Sequence, residues 1–245
     1  MSDWHPWQAL PQLPSAVLFT PALLDELLDG GQAFRWRALP DATFEGQWSS
    51  HHVRVRPAAD DASLLFSAPL HADRAATAAA LHAYLAGPAA DTDALPWRSD
   101  PHLAACLAAF PGLGILRQPF GETLLGFVCS ATKQIVQIKQ MMELLSERHG
   151  NLLPHGRHSL PTWEKLATVS ELELRACSLG FRARHVAGIA TFLAQHPGWL
   201  DAAERAPYPE AKVLLLSLPG VGEKMPIACS SSAPDAWKHF PWTPG

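Results

Sequence analysis

Seven residues near the end of the chain, Leu218-Pro219-Gly220-Val221-Gly222-Glu223-Lys224, combine a tight glycine turn with a primary amine. Two glycines separated by one apolar residue let the backbone fold sharply, and its N–H groups can then approach a phosphate closely. Gly220 and Gly222 are therefore candidate phosphate-binding positions, with Val221 expected to pack inward. A P-loop is excluded, because it needs four residues between its glycines and a Lys-Ser or Lys-Thr pair after them. The apolar run at 211–216 ahead of the turn predicts a helix-hairpin-helix connection, although an ordinary helix–helix joint has the same local signature. An amine at such a place, once desolvated and deprotonated, is a nucleophile that forms Schiff bases with carbonyl carbons.

The rest of the chain must position that turn. Its 245 residues are 48% hydrophobic and 17% charged, with mean hydropathy near zero, which excludes disorder, collagen and coiled coil and suggests two modest domains. Short alternating runs at 44–48, 52–56 and 63–67 predict antiparallel strands, and helical spacing marks 23–28 and 73–85. Residues 87–101, rich in proline and acid, have the composition of a linker. Helices are expected at 101–110, 122–149, 162–168, 170–179, 183–195 and 209–216. Ser170 with Glu173 forms a capping-box pattern, and Gly180 is the expected left-handed residue that ends that helix. The fold class is thus α+β: an antiparallel-sheet domain over 1–100, a helical domain over 101–224, and a tail over 225–245. The tail has Ser230-Ser231-Ser232, four prolines and no apolar period.

Other chemistries are poorly supported. No apolar stretch approaches the ~20 residues that span a bilayer, and the first residues lack the order of a signal peptide, so a cytoplasmic protein is expected. Cys106, Cys129, Cys177 and Cys229 are scattered without metal-ligand spacing and read as reduced thiols; no metal or cofactor is expected. The twelve histidines are dispersed, and a structural or solvated role is expected for them. A net charge of −4 exerts no global pull toward polyanions, but a local basic face is compatible with it.

Five motifs occur in order: Gly31-Gln32-Ala33-Phe34-Arg35-Trp36, Leu116-Arg117-Gln118-Pro119-Phe120-Gly121-Glu122, Phe127-Val128-Cys129-Ser130, Leu179-Gly180-Phe181-Arg182-Ala183-Arg184, and the hairpin with Lys224. From about residue 15 to Lys224 the sequence resembles the 8-oxoguanine DNA glycosylases of the helix-hairpin-helix superfamily. The resemblance implies a glycosylase with lyase activity on oxidised purines in duplex DNA, acting in base-excision repair. It also implies a sheet domain similar to one repeat of the TATA-binding protein, ahead of a helical hairpin domain. Lys224 matches the nucleophile. Gly31 matches the glycine whose carbonyl accepts the N7 hydrogen that only the oxidised guanine carries, and Phe34 accompanies it as a substrate-binding residue. Phe181 and Arg182 match positions around the extruded base and the opposite strand. The partner implied is double-stranded DNA containing a damaged purine, bound by a monomer that is nucleoid-associated if bacterial.

Two departures from the family pattern stand out. An asparagine-rich run is replaced by Ala131-Thr132-Lys133-Gln134-Ile135-Val136-Gln137, and a tyrosine position is Phe181. Either Thr132 or Gln134 is then the residue wedged into the duplex, with Lys133 open to a contact with backbone phosphate, or the stretch is simply an exposed polar helix start.

A third departure lies beyond the hairpin. The resemblance calls for an aspartate about nineteen residues after the lysine, stabilising the cationic sugar, whereas Thr243 stands there and Asp235 comes too early. One back-translation of residues 225–245, read from its third base, gives ADCVLLFGAGRLEAFPVDTW, the continuation the family would have, with the aspartate codon straddling Trp242 and Thr243. The expectation is a frameshift after about Lys224, in the gene or its sequencing, and low activity for the chain as written. Two rival readings remain: a DNA-binding remnant without catalysis, and an alkylated-base glycosylase, against which Lys224 and Gly31 argue.

Overall fold

A computed structural model describes residues 3–11, 18–59, 63–85 and 101–222. The chain forms two compact units, Met1–Arg117 and Gln118–Gly245, in an α+β architecture. The division falls later than the sequence boundary at 100/101, so residues 101–117 go with the first unit. Long-range hydrogen bonds account for this: the Arg117 N–H donates to the Tyr84 carbonyl at 2.8 Å, and the Gln32 side chain holds the backbone at 114 and 116. Of the expected linker at 87–101, all but Pro101, which opens a helix, lies outside the described residues, as does the tail at 225–245.

The first unit is built on five antiparallel strands, β1 (Gln8–Ala9), β2 (Trp36–Leu39), β3 (Thr43–Trp48), β4 (His51–Pro57) and β5 (Leu64–Ser67), in the order β1-β5-β4-β3-β2. Strict alternation explains β4: Val53 and Val55 turn into the core, and Arg54 and Arg56 turn to the other face. The three strands expected from the sequence appear with slightly different ends; β1 and β2 are additions. Helix α1 (Pro21–Leu24) starts at Thr20, whose hydroxyl accepts the Leu23 N–H at 3.2 Å, and it widens into a π-helical turn at Asp25–Asp29. Helix α2 (Arg74–Leu85) contributes Leu81 and Tyr84 to the core, and α3 (Pro101–Ala109) follows. Trp36 lies flat over Gly46, where a Cβ would come within 2.1 Å of its ring, and its indole N–H donates to the Tyr84 hydroxyl at 3.1 Å.

On the other face of the sheet, Arg37, Glu45, Arg54 and Ser67 form one cross-strand row. The buried Glu45 carboxylate receives Arg37 at 2.8 Å, Arg54 at 2.8 Å and His52 at 3.1 Å. Burial alone would raise its pKa, but the hydrogen bonds from His52 and Arg54 and the charge of Arg37 hold it well below the carboxylate range. Trp4 packs against both His52 and Arg54, its ring 4.1 Å beneath the Arg54 guanidinium.

The second unit is helical: α4 (Phe120–Ser130), α5 (Ile135–His149), α6 (Trp163–Leu166), α7 (Glu171–Leu174), α8 (Arg182–Gln195), α9 (Trp199–Arg205) and α10 (Tyr208–Leu216). The single helix expected over 122–149 is two, because Thr132 takes φ 57° and Gln134 caps α5. The Ser170–Glu173 capping box is present. After it, Ser178 rather than Gly180 adopts the left-handed helical conformation (φ 66°, ψ 14°), whereas Gly180 has φ 57° and ψ −131°. Helix α9 had no counterpart in the sequence reading. Val186, Ile189 and Ala190 bury one side of α8. Among the described residues no helix is long and apolar enough to cross a membrane.

Candidate functional site

In the second unit, one buried arginine gathers several of the sequence-assigned residues. Arg182 opens α8, and its guanidinium donates to the Leu179 carbonyl at 3.3 Å, to the Thr132 hydroxyl at 2.9 Å and to the Ala131 carbonyl. It also lies 4.4 Å from the centre of the Phe181 ring. Arg182 therefore fastens the α4–α5 break to the start of α8. A positive φ costs a non-glycine residue about 1–2 kcal/mol, and these bonds help offset that cost at Thr132. The arginine faces protein, while Phe181, 48% exposed, and Thr132 face solvent.

Gln134 is exposed but occupied: its side chain and that of Gln137 cap α5 reciprocally, the Gln134 N–H donating to the Gln137 amide oxygen at 3.3 Å. The helix-start alternative describes Gln134 as it stands, and Lys133 beside it is half-buried. Cys129, one turn before the break, is fully buried, and burial pushes its thiol up to about 12, with Arg182 opposing and Cys177 adding to the shift. Such a thiol is no nucleophile.

The hairpin turn follows α10. Leu218 is buried and its carbonyl accepts the Val221 N–H at 3.2 Å, closing the turn; Val221, expected to pack inward, is only half-buried among the described residues. The two glycines differ in purpose. Gly220 has φ +78°, and a Cβ there would lie 1.9 Å from the His185 ring of α8, whereas a Cβ on Gly222 would meet nothing within 4 Å. Gly220 is thus required by packing, whereas nothing among the described residues crowds Gly222. Lys224 lies outside the described residues.

In the first unit, Gly31 has φ +105° and leads into the half-buried Phe34. Between them the Gln32 side chain donates to the Gly114 carbonyl at 2.9 Å and accepts the Leu116 N–H at 3.0 Å. This clamp joins the first two sequence motifs and fixes the backbone that carries Gly31. The sequence reading missed it, as it missed His185; the only signal was an amide side chain between a glycine and the apolar Ala33-Phe34 pair.

No protein-family model matches the chain. The N-glycosylase/DNA lyase of Arabidopsis thaliana is 27% identical over 227 residues, covering 88% of this chain and 61% of that protein. The N-glycosylase/DNA lyase of Saccharomyces cerevisiae is 30% identical over 129 residues, covering 46% and 34%. The chain thus spans less than two thirds of the length of either relative. Among solved structures, the 8-oxoguanine glycosylase/lyase of Clostridium acetobutylicum superimposes with a TM-score of 0.80 at 21% identity, over 99% of this chain and 85% of that one. The chain is similar in sequence to these N-glycosylase/DNA lyases and shares the fold of that 8-oxoguanine glycosylase/lyase.

Proposed function

We propose that this protein is a DNA glycosylase and lyase that removes oxidised purines, 8-oxoguanine above all, from duplex DNA in base-excision repair. The observation that carries the reading is the hairpin: a closed, glycine-dependent turn seated on α8, two residues ahead of Lys224, on the same helix that begins with Phe181 and Arg182. Extruding a nucleotide leaves a gap in the base stack, and the exposed Phe181 ring is suited to fill it. Thr132 stands beside it on the same arginine-fastened break, while Arg182 acts from behind by holding both in place. The Gly31 carbonyl, with Phe34, distinguishes the oxidised base, and Gly220 and Gly222 offer backbone N–H groups to a phosphate.

In this reading the Lys224 amine attacks C1′ of the sugar. The C1′–N9 bond breaks, its electron pair leaves with the purine and is protonated, and the amine gives up its own protons as the sugar ring opens to an imine. Loss of the 2′ proton then expels the 3′ phosphate by β-elimination. At the spacing where the resemblance calls for a carboxylate the sequence has Thr243, so base excision by the chain as written is slower by about a hundredfold or more. Imine formation with a site that has already lost its base does not need that charge.

Borohydride reduction on duplexes carrying 8-oxoguanine, an abasic site or neither tests this. A covalent adduct with both lesions, weaker on 8-oxoguanine and absent in Lys224→Ala, supports the reading. Binding to damaged duplex without any adduct favours a non-catalytic remnant, and excision of an alkylated base by Lys224→Ala favours an alkylated-base glycosylase.

A further inference from the structure

We propose that His185 is a positioning residue whose imidazole forms the seat of the Pro219–Gly220 turn and, through that turn, sets where the Lys224 amine stands. The inference rests on the glycosylase reading above and adds a residue that no motif of the sequence marked. Three contacts carry it. A Cβ on Gly220 would fall 1.9 Å from His185 Nδ1 and 2.4 Å from its Cγ, so the ring lies directly against the turn's backbone. One helical turn further on, a Cβ on Gly188 would lie 3.3 Å from the Pro219 side chain, so His185 and Gly188 make a two-point seat on α8. The ring also meets Phe181 edge-on at 6.1 Å between centroids. One imidazole thus touches both the aromatic expected at the DNA and the turn that leads, four residues later, to the nucleophile.

The ring suits this place as a neutral group. Burial, then the charges of Arg184 and Arg182, hold its pKa below the ordinary histidine value, and the Arg184 Nε–H points to His185 Nε2 at 3.5 Å. A smaller side chain would leave a gap under Gly220, and a branched one would not present a flat surface. Either lets the turn shift, and a displacement of about 1 Å in a reacting group can cost about a hundredfold in rate.

The test uses a duplex with a preformed abasic site, so that only amine placement is read. The amine adds to the C1′ aldehyde, water leaves, and borohydride delivers hydride to the imine carbon, leaving a secondary amine. Trapping rate at saturating DNA, Kd and thermal midpoint are measured for His185→Ala, His185→Leu and His185→Phe well below each midpoint. The expected result is trapping roughly ten- to a hundredfold slower in His185→Ala and His185→Leu, Kd within about threefold of wild type, and at least half the rate recovered in the flat-ringed His185→Phe. His185→Leu preserves buried bulk and decides the matter if His185→Ala does not fold. Saturating rates within about fivefold of wild type in the Ala and Leu variants, or a His185→Phe variant as slow as His185→Leu, overturn the proposal. If wild type traps through Lys224 and these variants do too, only the role of His185 falls; if wild type gives no Lys224-dependent adduct, the glycosylase reading fails and this inference with it.

Discussion

Replacing Glu45 by glutamine would remove one charge from the sheet that frames Gly31 and change the shape of the side chain very little. Glu45 is 3% exposed and meets two guanidiniums at 2.8 Å and an imidazole at 3.1 Å. Arg37 is largely in water, so its share is discounted, and the loss falls on Arg54 and the buried His52. Breaking a buried ion pair from one side costs about 3–5 kcal/mol, and the half-open Arg54 argues for the lower end. At about 2–4 °C per kcal/mol for a chain of this size, the melting point should drop by roughly 10 °C. The pH dependence gives a sharper signature. The folded pKa of Glu45 lies below its ordinary 4.5, so its stabilisation is fully present above about pH 4.5 and is lost as pH falls through the folded value. Urea unfolding followed by tryptophan fluorescence, which also reports Trp4 against Arg54, should show a wild-type advantage that is constant from pH 7 to about 5.5 and shrinks toward pH 3. An advantage under about 1 kcal/mol at pH 7, or one that does not shrink in acid, would refute the reasoning.

Further expectations follow from the second unit. Gly220→Ala meets both a left-handed φ, at about 1–2 kcal/mol, and the His185 ring, with overpacking adding about 1–3 kcal/mol; combining it with His185→Ala should return the second part in a denaturation cycle. Phe181→Ala should change stability by less than about 1 kcal/mol because the ring is half in water, yet weaken duplex binding by about 1–3 kcal/mol in a fluorescence titration at fixed salt. Cys129, with its thiol held near 12, should resist iodoacetamide at pH 8 in the folded protein and react once urea exposes it. Intact mass and resequencing of the gene would show whether residues 225–245 are the natural continuation.

The legible features of the sequence were local ones. The glycine turn at 218–222, the Ser170–Glu173 capping box and the alternation in β4 each declare themselves within a few residues, and each is present in the structure. What escaped notice depends on partners far away in sequence. Gln32 is explained by carbonyl and amide groups 82 and 84 residues later, and the glycine at 220 by a histidine on another helix. The α4–α5 break was hidden because apolar residues continue on both sides of it, and the Arg182 hydrogen bonds that hold Ala131 and the left-handed Thr132 come from a residue about fifty positions later. Strand β2 reads Trp-Arg-Ala-Leu at the sheet edge, where only Trp36 is fully buried, so it shows no sustained alternation.

The most direct measurement is peptide mapping, by mass spectrometry, of the adduct that borohydride leaves on the protein after reaction with a duplex bearing an abasic site. The account predicts the sugar-derived mass on Lys224 alone, with none in Lys224→Ala. Modification at another amine with Lys224 untouched would contradict it.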